Sequence, residues 1–427
     1  MAQLSDDCFA GGGPLMPAQA ALDLILPRLA PVTAAERLPL LDCLDRILAE
    51  AVAAPIDVPG GDNSAVDGYA VHFADLSPDS ETRLPVGGRA AAGHPLGRPQ
   101  RRGEAIRIFT GAPMPAGEAG APGPDTVMMQ EDCRVEGGTV VIAPGIRRGA
   151  NRRLAGEDVV RGSVALRAGT RLRPQDIGLA AALGLTRLPV AGRLRVALFS
   201  TGDELAEPGR ALPAGAIYDS NRFTLAALLA QLGCAVTDLG ILADRPADIR
   251  AALAAAAAGH DLLLTSGGVS GGEEDHVKGA VMALGRLHAW RLAIKPGRPI
   301  ALGQIDAAGR AVPFIGLPGN PVAVMVTFLR IARPIILRLM GAADAEPHRF
   351  PVRTAFAYKK KRDRREWVRV RLEPGSDGVP VAHKYPRDGA GILRSMVESD
   401  GLVELPEDLV QLAAGSMVDF LPFSEVR

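Results

Sequence analysis

Four glycine-rich loops, each directly behind a short apolar run, hold most of the residues in this chain that could do chemistry. They are Ser200-Thr201-Gly202-Asp203-Glu204, Thr265-Ser266-Gly267-Gly268-Val269-Ser270, Lys295-Pro296-Gly297-Arg298-Pro299 and Gly316-Leu317-Pro318-Gly319-Asn320-Pro321. Glycine lets backbone N–H groups come close to an anion, and Ser200, Thr201, Ser266 and Ser270 can donate hydroxyls to it. Lys295 is a point charge for an oxyanion, and Arg298, beyond a Pro-Gly turn, is a bidentate fork. Pro321 opens the helix that follows Gly319-Asn320, which predicts free N–H groups for a further anion contact. Asp203, Glu204, Glu273, Glu274 and Asp275 are hard oxygen donors that suit a divalent cation. Each motif alone has a plainer explanation: a strand-to-loop turn capped by Asp203, a solvated linker, a helix cap at Asn320. Together they predict a phosphorylated or oxyanionic ligand met with a divalent metal.

The chain must bring these loops to one place. The apolar runs before them are Val196–Phe199, Leu262–Leu264, Leu292–Ile294 and Val312–Ile315. Parallel strands of one sheet would deliver all four loops to its carboxyl edge, where open α/β sheets bind ligands. Strands alternate with helical patterns from Arg193 to Met340, which predicts a doubly wound αβα unit with a parallel sheet. Its helices start at Asp219-Ser220-Asn221, at Asp244-Arg245-Pro246, at Asp275 and at Pro321. Upstream, Ala21, Leu22, Ile25, Leu26 and Leu29 recur at helical spacing, and so do Leu38, Leu40, Leu41, Leu44, Ile47 and Leu48. Gln175–Leu183 is a third helical stretch, with Gly184 as its stop. Residues 55–150 are rich in Gly and Pro with short alternating segments, and read as a β-rich insert. After residue 343 short strands with turns suggest a small β-barrel. The fold class is therefore multidomain α/β, divided as 14–54 with 151–188 (helical, discontinuous), 55–150 (β-rich, inserted), 189–342 (αβα) and 343–427 (β-barrel).

The totals exclude several functions. With 48 basic and 48 acidic residues among 427, the formal charge is zero, which argues against nucleic acid or an anionic membrane as partner. Aromatic residues are only 4% of a chain that is 47% hydrophobic, so aliphatic packing must build the cores. Cys8, Cys43, Cys133 and Cys234 have neither disulfide-framework nor zinc spacing. The amino terminus lacks the basic-then-apolar order of a signal peptide, and no apolar run is long enough to span a bilayer, so a cytoplasmic protein is expected. The run Lys359-Lys360-Lys361-Arg362 reads as a solvated hairpin tip. No P-loop and no G-x-G-x-x-G behind a strand is present, which removes ATPases and nicotinamide dehydrogenases.

Eight segments in order resemble the MoeA family of molybdopterin molybdenumtransferases, to which the E domain of gephyrin is also similar. They are Asp62–Val71 (DNSAVDGYAV), Phe109–Pro115 (FTGAPMP), Gly156–Asp158 (GED), Leu198–Leu205 (LFSTGDEL), Ile217–Asn221 (IYDSN), Thr265–Asp275 (TSGGVSGGEED), Ala293–Pro299 (AIKPGRP) and Gly316–Ala323 (GLPGNPVA). The resemblance implies an elongated homodimer that inserts molybdate into adenylylated molybdopterin with Mg²⁺, releasing AMP and the molybdenum cofactor. It implies that the αβα unit holds the pterin ligand on Ser200, Thr201, Gly202, Ser266, Gly267, Gly268, Ser270, Pro318, Gly319 and Asn320. It implies that Asp67 and Thr110 reach over the cleft from the partner's insert, with Glu204, Lys295 and Arg298 completing the catalytic set. Asp203, Glu204, Asp244 and Asp275 become the metal's acids, and Lys295 and Arg298 the molybdate and phosphate contacts. Molybdoenzyme apoproteins or their chaperones become the further partners. The chain departs from the family pattern at Val66, Arg298, Ala390 and Arg394, and Gly117–Pro124 lengthens the loop after Pro115. The rival readings are a molybdopterin adenylyltransferase, which would need neither the insert nor the last domain, and a non-catalytic scaffold, which would not need Asp67, Glu204, Asp275 and Lys295 together.

Overall fold

A computed structural model describes residues 15–268 and 276–426. Helix α1 (Ala18–Ile25) buries Ala18, Ala21, Leu22 and Ile25, the stripe that its spacing predicts. The second helical expectation fails. Ala35–Pro39 is a strand paired antiparallel with Arg187–Ala191, and Leu40–Asp42 is a single 3₁₀ turn. Leu41 and Leu44 stay 90% and 50% exposed, so the leucine spacing there does not mark a buried face. Helix α2 (Pro174–Ala182) forms as expected, opened by Pro174 and by the Asp176 carboxylate accepting the Arg173 N–H at 2.9 Å. Val52–Ala53 pairs with Val164–Leu166, and Asn63–Ser64 with Arg152–Arg153, so segments far apart in sequence are tied side by side.

The insert is a six-stranded sheet in the order Thr126–Met129, Gly68–Val71, Ala105–Ile108, Thr82–Ala90, Thr139–Ile142, Cys133–Glu136. Gly68–Val71, second in that order, is buried along its whole length and carries the polar loop that precedes it.

Six strands make the αβα sheet: β1 (Arg195–Thr201), β2 (Ala235–Leu242), β3 (Leu262–Ser266), β4 (Gly285–Arg291), β5 (Pro299–Ala307) and β6 (Arg310–Leu317). Their order is β2-β1-β3-β6-β5-β4. The first four in that order are parallel, whereas β5 runs antiparallel to both β6 and β4. The sheet is thus mixed rather than wholly parallel, because β5 and β6 form a hairpin about Ala308 and Gly309, both at positive φ. Period-two alternation explains the double burial. Val196, Leu198, Leu262, Leu264, Ile315 and Leu317 pack on one face, and Ala197, Phe199, Leu263, Ala301 and Phe314 on the other. Helices α3 (Asn221–Gln231), α6 (Pro321–Thr327) and α7 (Arg333–Leu339) cover the first face together with α1, while α4 (Pro246–Gly259) and α5 (His276–Leu284) cover the second. Between α6 and α7, Phe328–Ala332 widens into a π-helical turn. Pro334 lacks the N–H that would bond the Arg330 carbonyl and its ring crowds that group, so the register opens there.

The last domain closes β7 (Phe350–Thr354), β8 (Arg365–Glu373), β9 (Val381–Lys384), β10 (Gly401–Leu405) and β11 (Met417–Pro422) into a five-stranded barrel, with β8 pairing both β9 and β10. Trp367, Met396, Leu402, Leu421 and Val426 join the same apolar cluster as α6 and α7, so barrel and αβα unit share a core. Lys360 is 6% exposed and donates to the carbonyls of Lys361 and Glu407, so the basic run is partly interior and not a solvated tip. Among the described residues no helix is long and apolar enough to cross a membrane.

Candidate functional site

Strands β1, β3 and β6 lie side by side and end at Thr201, Ser266 and Leu317, which brings three of the four loops to one edge. Two close approaches set their spacing. A Cβ on Gly268 would stand 2.8 Å from Thr201 Oγ1 and 2.7 Å from Val277 Cγ2, at a φ of +63°. A Cβ on Gly267 would stand 3.2 Å from the Thr201 carbonyl oxygen. Only glycine fits there without moving a neighbour. The Gly267 N–H, however, is donated to the Leu317 carbonyl at 3.0 Å and is not free for an anion. Ser200 and Ser266 are enclosed at the strand ends, 0% and 3% exposed, and the Ser200 hydroxyl has no partner among the described residues. Thr201 is buried as well, while Gly319 and Asn320 are exposed beside a buried Pro318. The Gly319 carbonyl accepts the Asn221 side-chain amide at 2.7 Å. Ser270 and Asp275 lie outside the described residues.

At the start of α6 one of the N–H groups expected for an anion is already used. Val322, in its first turn, donates its N–H to the Ala390 carbonyl of the last domain at 2.9 Å. Asn320 makes no side-chain cap.

The fourth loop reaches the edge by another route. Leu292–Ile294 is not a strand of the αβα sheet; Ile294–Lys295 pairs in parallel with Arg365–Glu366 of β8. Since β4 runs parallel to β6 through the intervening β5, its end still lies at the carboxyl edge. The Lys295–Pro296 peptide is cis, and Gly297 sits at φ +94° against Ala323 and Thr327. A cavity of about 450 Å³ opens here between the αβα unit and the barrel. Its walls include Lys295, Arg298, Pro318, Gly319 and Asn320, all expected from sequence. They also include Tyr358, Arg364, Glu366 and Arg369 of the barrel, which sequence reasoning missed. Arg298 has no ion-pair partner among the described residues. The Arg369 guanidinium donates to the Gly389 carbonyl at 2.8 Å, and burial pulls its pKa below the usual arginine value. The signal for this wall was the alternation in Arg365–Glu373, where the charged Arg365, Glu366, Arg369 and Arg371 interleave with Trp367, Val368 and Val370.

The acids are placed less tightly. Asp203 and Glu204 are exposed on the loop after β1, and Asp244 follows β2, the neighbouring strand. The Glu204 carboxylate folds over Gly202, whose Cβ position it would crowd at 2.6 Å. Among the described residues no three acids, histidines or cysteines converge on one point. Such a set fits Mg²⁺, which is commonly held by one or two carboxylates together with ligand phosphates.

In the insert, Asp67 and Thr110 meet. Asp67 Oδ1 accepts both the Thr110 N–H and its hydroxyl at 2.8 Å. These two bonds, the backbone one first, hold the Asp67 carboxyl below its ordinary pKa, so it is ionised at neutral pH. Beside it, the Phe109 ring has Arg89 and Arg107 guanidinium carbons 4.6 and 4.7 Å from its centroid. No residue of the insert lines the cavity.

The whole chain has relatives. Residues 16–184 match the MoeA N-terminal region (domain I and II), 197–338 a probable molybdopterin binding domain, and 351–423 the MoeA C-terminal region (domain IV). A molybdopterin molybdenumtransferase of Haemophilus influenzae is 37% identical over 396 residues, covering 92% of this chain and 95% of that one. One from a Nostoc species is 36% identical over 382 residues, covering 87% and 85%. The crystal structure of a molybdopterin biosynthesis moeA protein from Pyrococcus horikoshii superposes with a TM-score of 0.80 at 27% identity, over 96% of this chain and all of that one. With three regional matches in order and relatives of this likeness along almost its full length, the chain belongs to the MoeA family, and its reaction is molybdenum insertion in molybdenum cofactor biosynthesis.

Proposed function

We propose that this enzyme takes adenylylated molybdopterin, replaces an oxygen of molybdate with the ligand's two dithiolene sulfurs, whose thiol protons carry that oxygen off as water, and releases AMP by attack of a second water on the pyrophosphate P–O–P bond. The observation that carries this reading is the junction of the glycine loops with a cavity holding Lys295, Arg298, Arg364 and Arg369. A pyrophosphate needs backbone cradles, and a tetrahedral dianion needs fixed cations in a partly dry site. The backbone at Gly268 serves the pyrophosphate; Lys295 and Arg298 meet molybdate and the phosphates. No protein nucleophile is needed, since the ligand's own sulfurs receive the metal. Mg²⁺ would be held by Asp203, Glu204, Asp244 and Asp275 and would supply charge neutralisation at the phosphates. Asp67 has a depressed pKa and is therefore a weak base, better suited to orient water or a cation than to draw off a proton. Purified protein given adenylylated molybdopterin, Mg²⁺ and molybdate should release AMP, and EDTA should abolish the release. AMP release that ignores molybdate would sink the reading; release that ignores EDTA would remove the metal.

The same reading makes the enzyme a homodimer with shared sites. Leu41, Leu154, Val160 and Val164 on the segments flanking the insert, and Ile56 at its first residues, all at least 45% exposed, leave apolar surface there. The insert carries Asp67 and Thr110 yet contributes nothing to the cavity wall of its own chain. In a two-fold dimer each insert would serve the partner's cavity. A heterodimer of an Asp67→Ala subunit with a Lys295→Ala subunit should then have about half of the wild-type rate, because one of its two sites is whole, and a randomly paired equal mixture about a quarter. Sedimentation as a monomer at micromolar concentration would overturn the arrangement.

A further inference from the structure

The ammonium that we place against the oxyanion is held by the barrel. Ile294–Lys295 pairs with Arg365–Glu366, so Lys295 stands opposite Glu366 in the ladder. Glu366 is only 1% exposed, and a carboxylate that deep is stable only when its oxygens are occupied. Arg364 takes one of them, with Nε 3.0 Å from Oε1 and a second short contact from Nη2. The other, Oε2, accepts the Tyr358 hydroxyl at 2.9 Å and lies 3.4 Å from Lys295 Nζ. Lys295 Nζ in turn donates to the Tyr358 oxygen at 3.3 Å.

These contacts use part of what an ammonium offers. Lys295 has three N–H donors; one goes to Tyr358 and a second leans on Glu366, while the side chain remains 48% exposed at the cavity wall. A free lysine would sweep its four-carbon stem over many rotamers. Two fixed oxygens at its tip remove that freedom before the ligand arrives. Burial, with the bond to Glu366, holds the Tyr358 phenol above its usual pKa, so it stays a neutral donor to Glu366. The Arg364 pair answers the Glu366 charge, which leaves the Lys295 charge for the ligand.

We infer that Glu366 and Tyr358 are positioning residues for Lys295, fixing its ammonium where the oxyanion is met. This rests on the reading of Lys295 as the oxyanion contact. The position of the Lys295 ammonium is thus set by the last domain, through Glu366 and Tyr358.

The test uses the full-length protein and labelled molybdate in equilibrium dialysis. Tyr358→Phe keeps the Glu366–Arg364 pair and should weaken molybdate binding about 5-fold, the worth of one ordinary hydrogen bond. Glu366→Asp keeps the charge but draws the carboxylate back by one methylene, and should weaken binding by a similar factor. In a Lys295→Ala background both effects should vanish, because a residue acting through Lys295 has nothing left to position. If Lys295→Ala alone binds molybdate as wild type does, the underlying reading of Lys295 fails. If Lys295→Ala weakens binding while Tyr358→Phe, melting like wild type, does not, the positioning role fails and the reading of Lys295 stands. Additive losses in the double variants would mean a merely structural role and would also overturn it. Should Glu366→Asp not fold, Tyr358→Phe and its cycle with Lys295→Ala decide the matter.

Discussion

Asp67→Ala should still bind adenylylated molybdopterin within about a factor of ten of wild type, while molybdate-dependent AMP release falls about 100-fold or more. Asp67 lies in the insert, off the αβα sheet, and its carboxylate is ordered by Thr110 alone among the described residues. A group brought in from a second element adds little to ground-state affinity but acts where charge and water must be arranged in the reaction. Asp67→Asn is the useful control: it still accepts the Thr110 N–H but carries no charge, so full activity in it would exclude an electrostatic role. Gly268→Val should behave the opposite way. Its Cβ would meet Val277 and Thr201 at 2.7 and 2.8 Å from a backbone at φ +63°, so the loop must move and the ligand's seat with it. Its loss should appear in binding first. If both variants lose binding and turnover alike, the division of labour between insert and sheet is wrong.

The legible parts of this fold were those that depend on local pattern. Strands β1 and β3 alternate apolar side chains to two buried faces, and glycine follows each of them, so the sequence alone places their loops. The illegible parts depend on distant partners. Ala35–Pro39 is a strand only because Arg187–Ala191 pairs with it some 150 residues later, and the leucines that follow imitate a helix. The cavity wall shows the same limit. Lys359-Lys360-Lys361-Arg362 reads as solvated charge, yet Lys360 is buried and Tyr358, just before it, stands against Lys295. Nothing in either segment alone indicates that residues 294–295 and 365–366 form a ladder. The start of α6 shows the same dependence, since the Val322 N–H finds its partner in a carbonyl of the last domain. Residue types named the chemistry; long-range pairing decided which of those residues share a cavity.

The largest stability effect should come from Arg222→Met, a loss of about 3–5 kcal/mol, the range for stripping one partner from a buried ion pair. Arg222 is 3% exposed at the start of α3 and faces three acids. It donates from Nε to Asp219 Oδ2 at 3.0 Å and from Nη2 to both Glu207 oxygens at 2.6 Å, with a short contact from Nη1 to Asp238. Asp219 is itself only 2% exposed, so methionine would leave a buried carboxylate without its counter-ion. The cluster also explains how the acids of the first loop are held. The chain leaves β1 through Asp203 and Glu204, and Leu205–Ala206 pairs with Ile217–Tyr218 on the way back. Glu207 and Asp219 then close that excursion onto one guanidinium. Arg222→Lys keeps the charge but cannot reach three carboxylates from one ammonium, so it should recover only part of the loss. Both variants should also need more Mg²⁺ for half-maximal AMP release, because Asp203 and Glu204 are carried on the loosened segment. Urea unfolding of Arg222→Met at the wild-type midpoint would show that the three acids hold the loop without the arginine, and the argument from burial would fall.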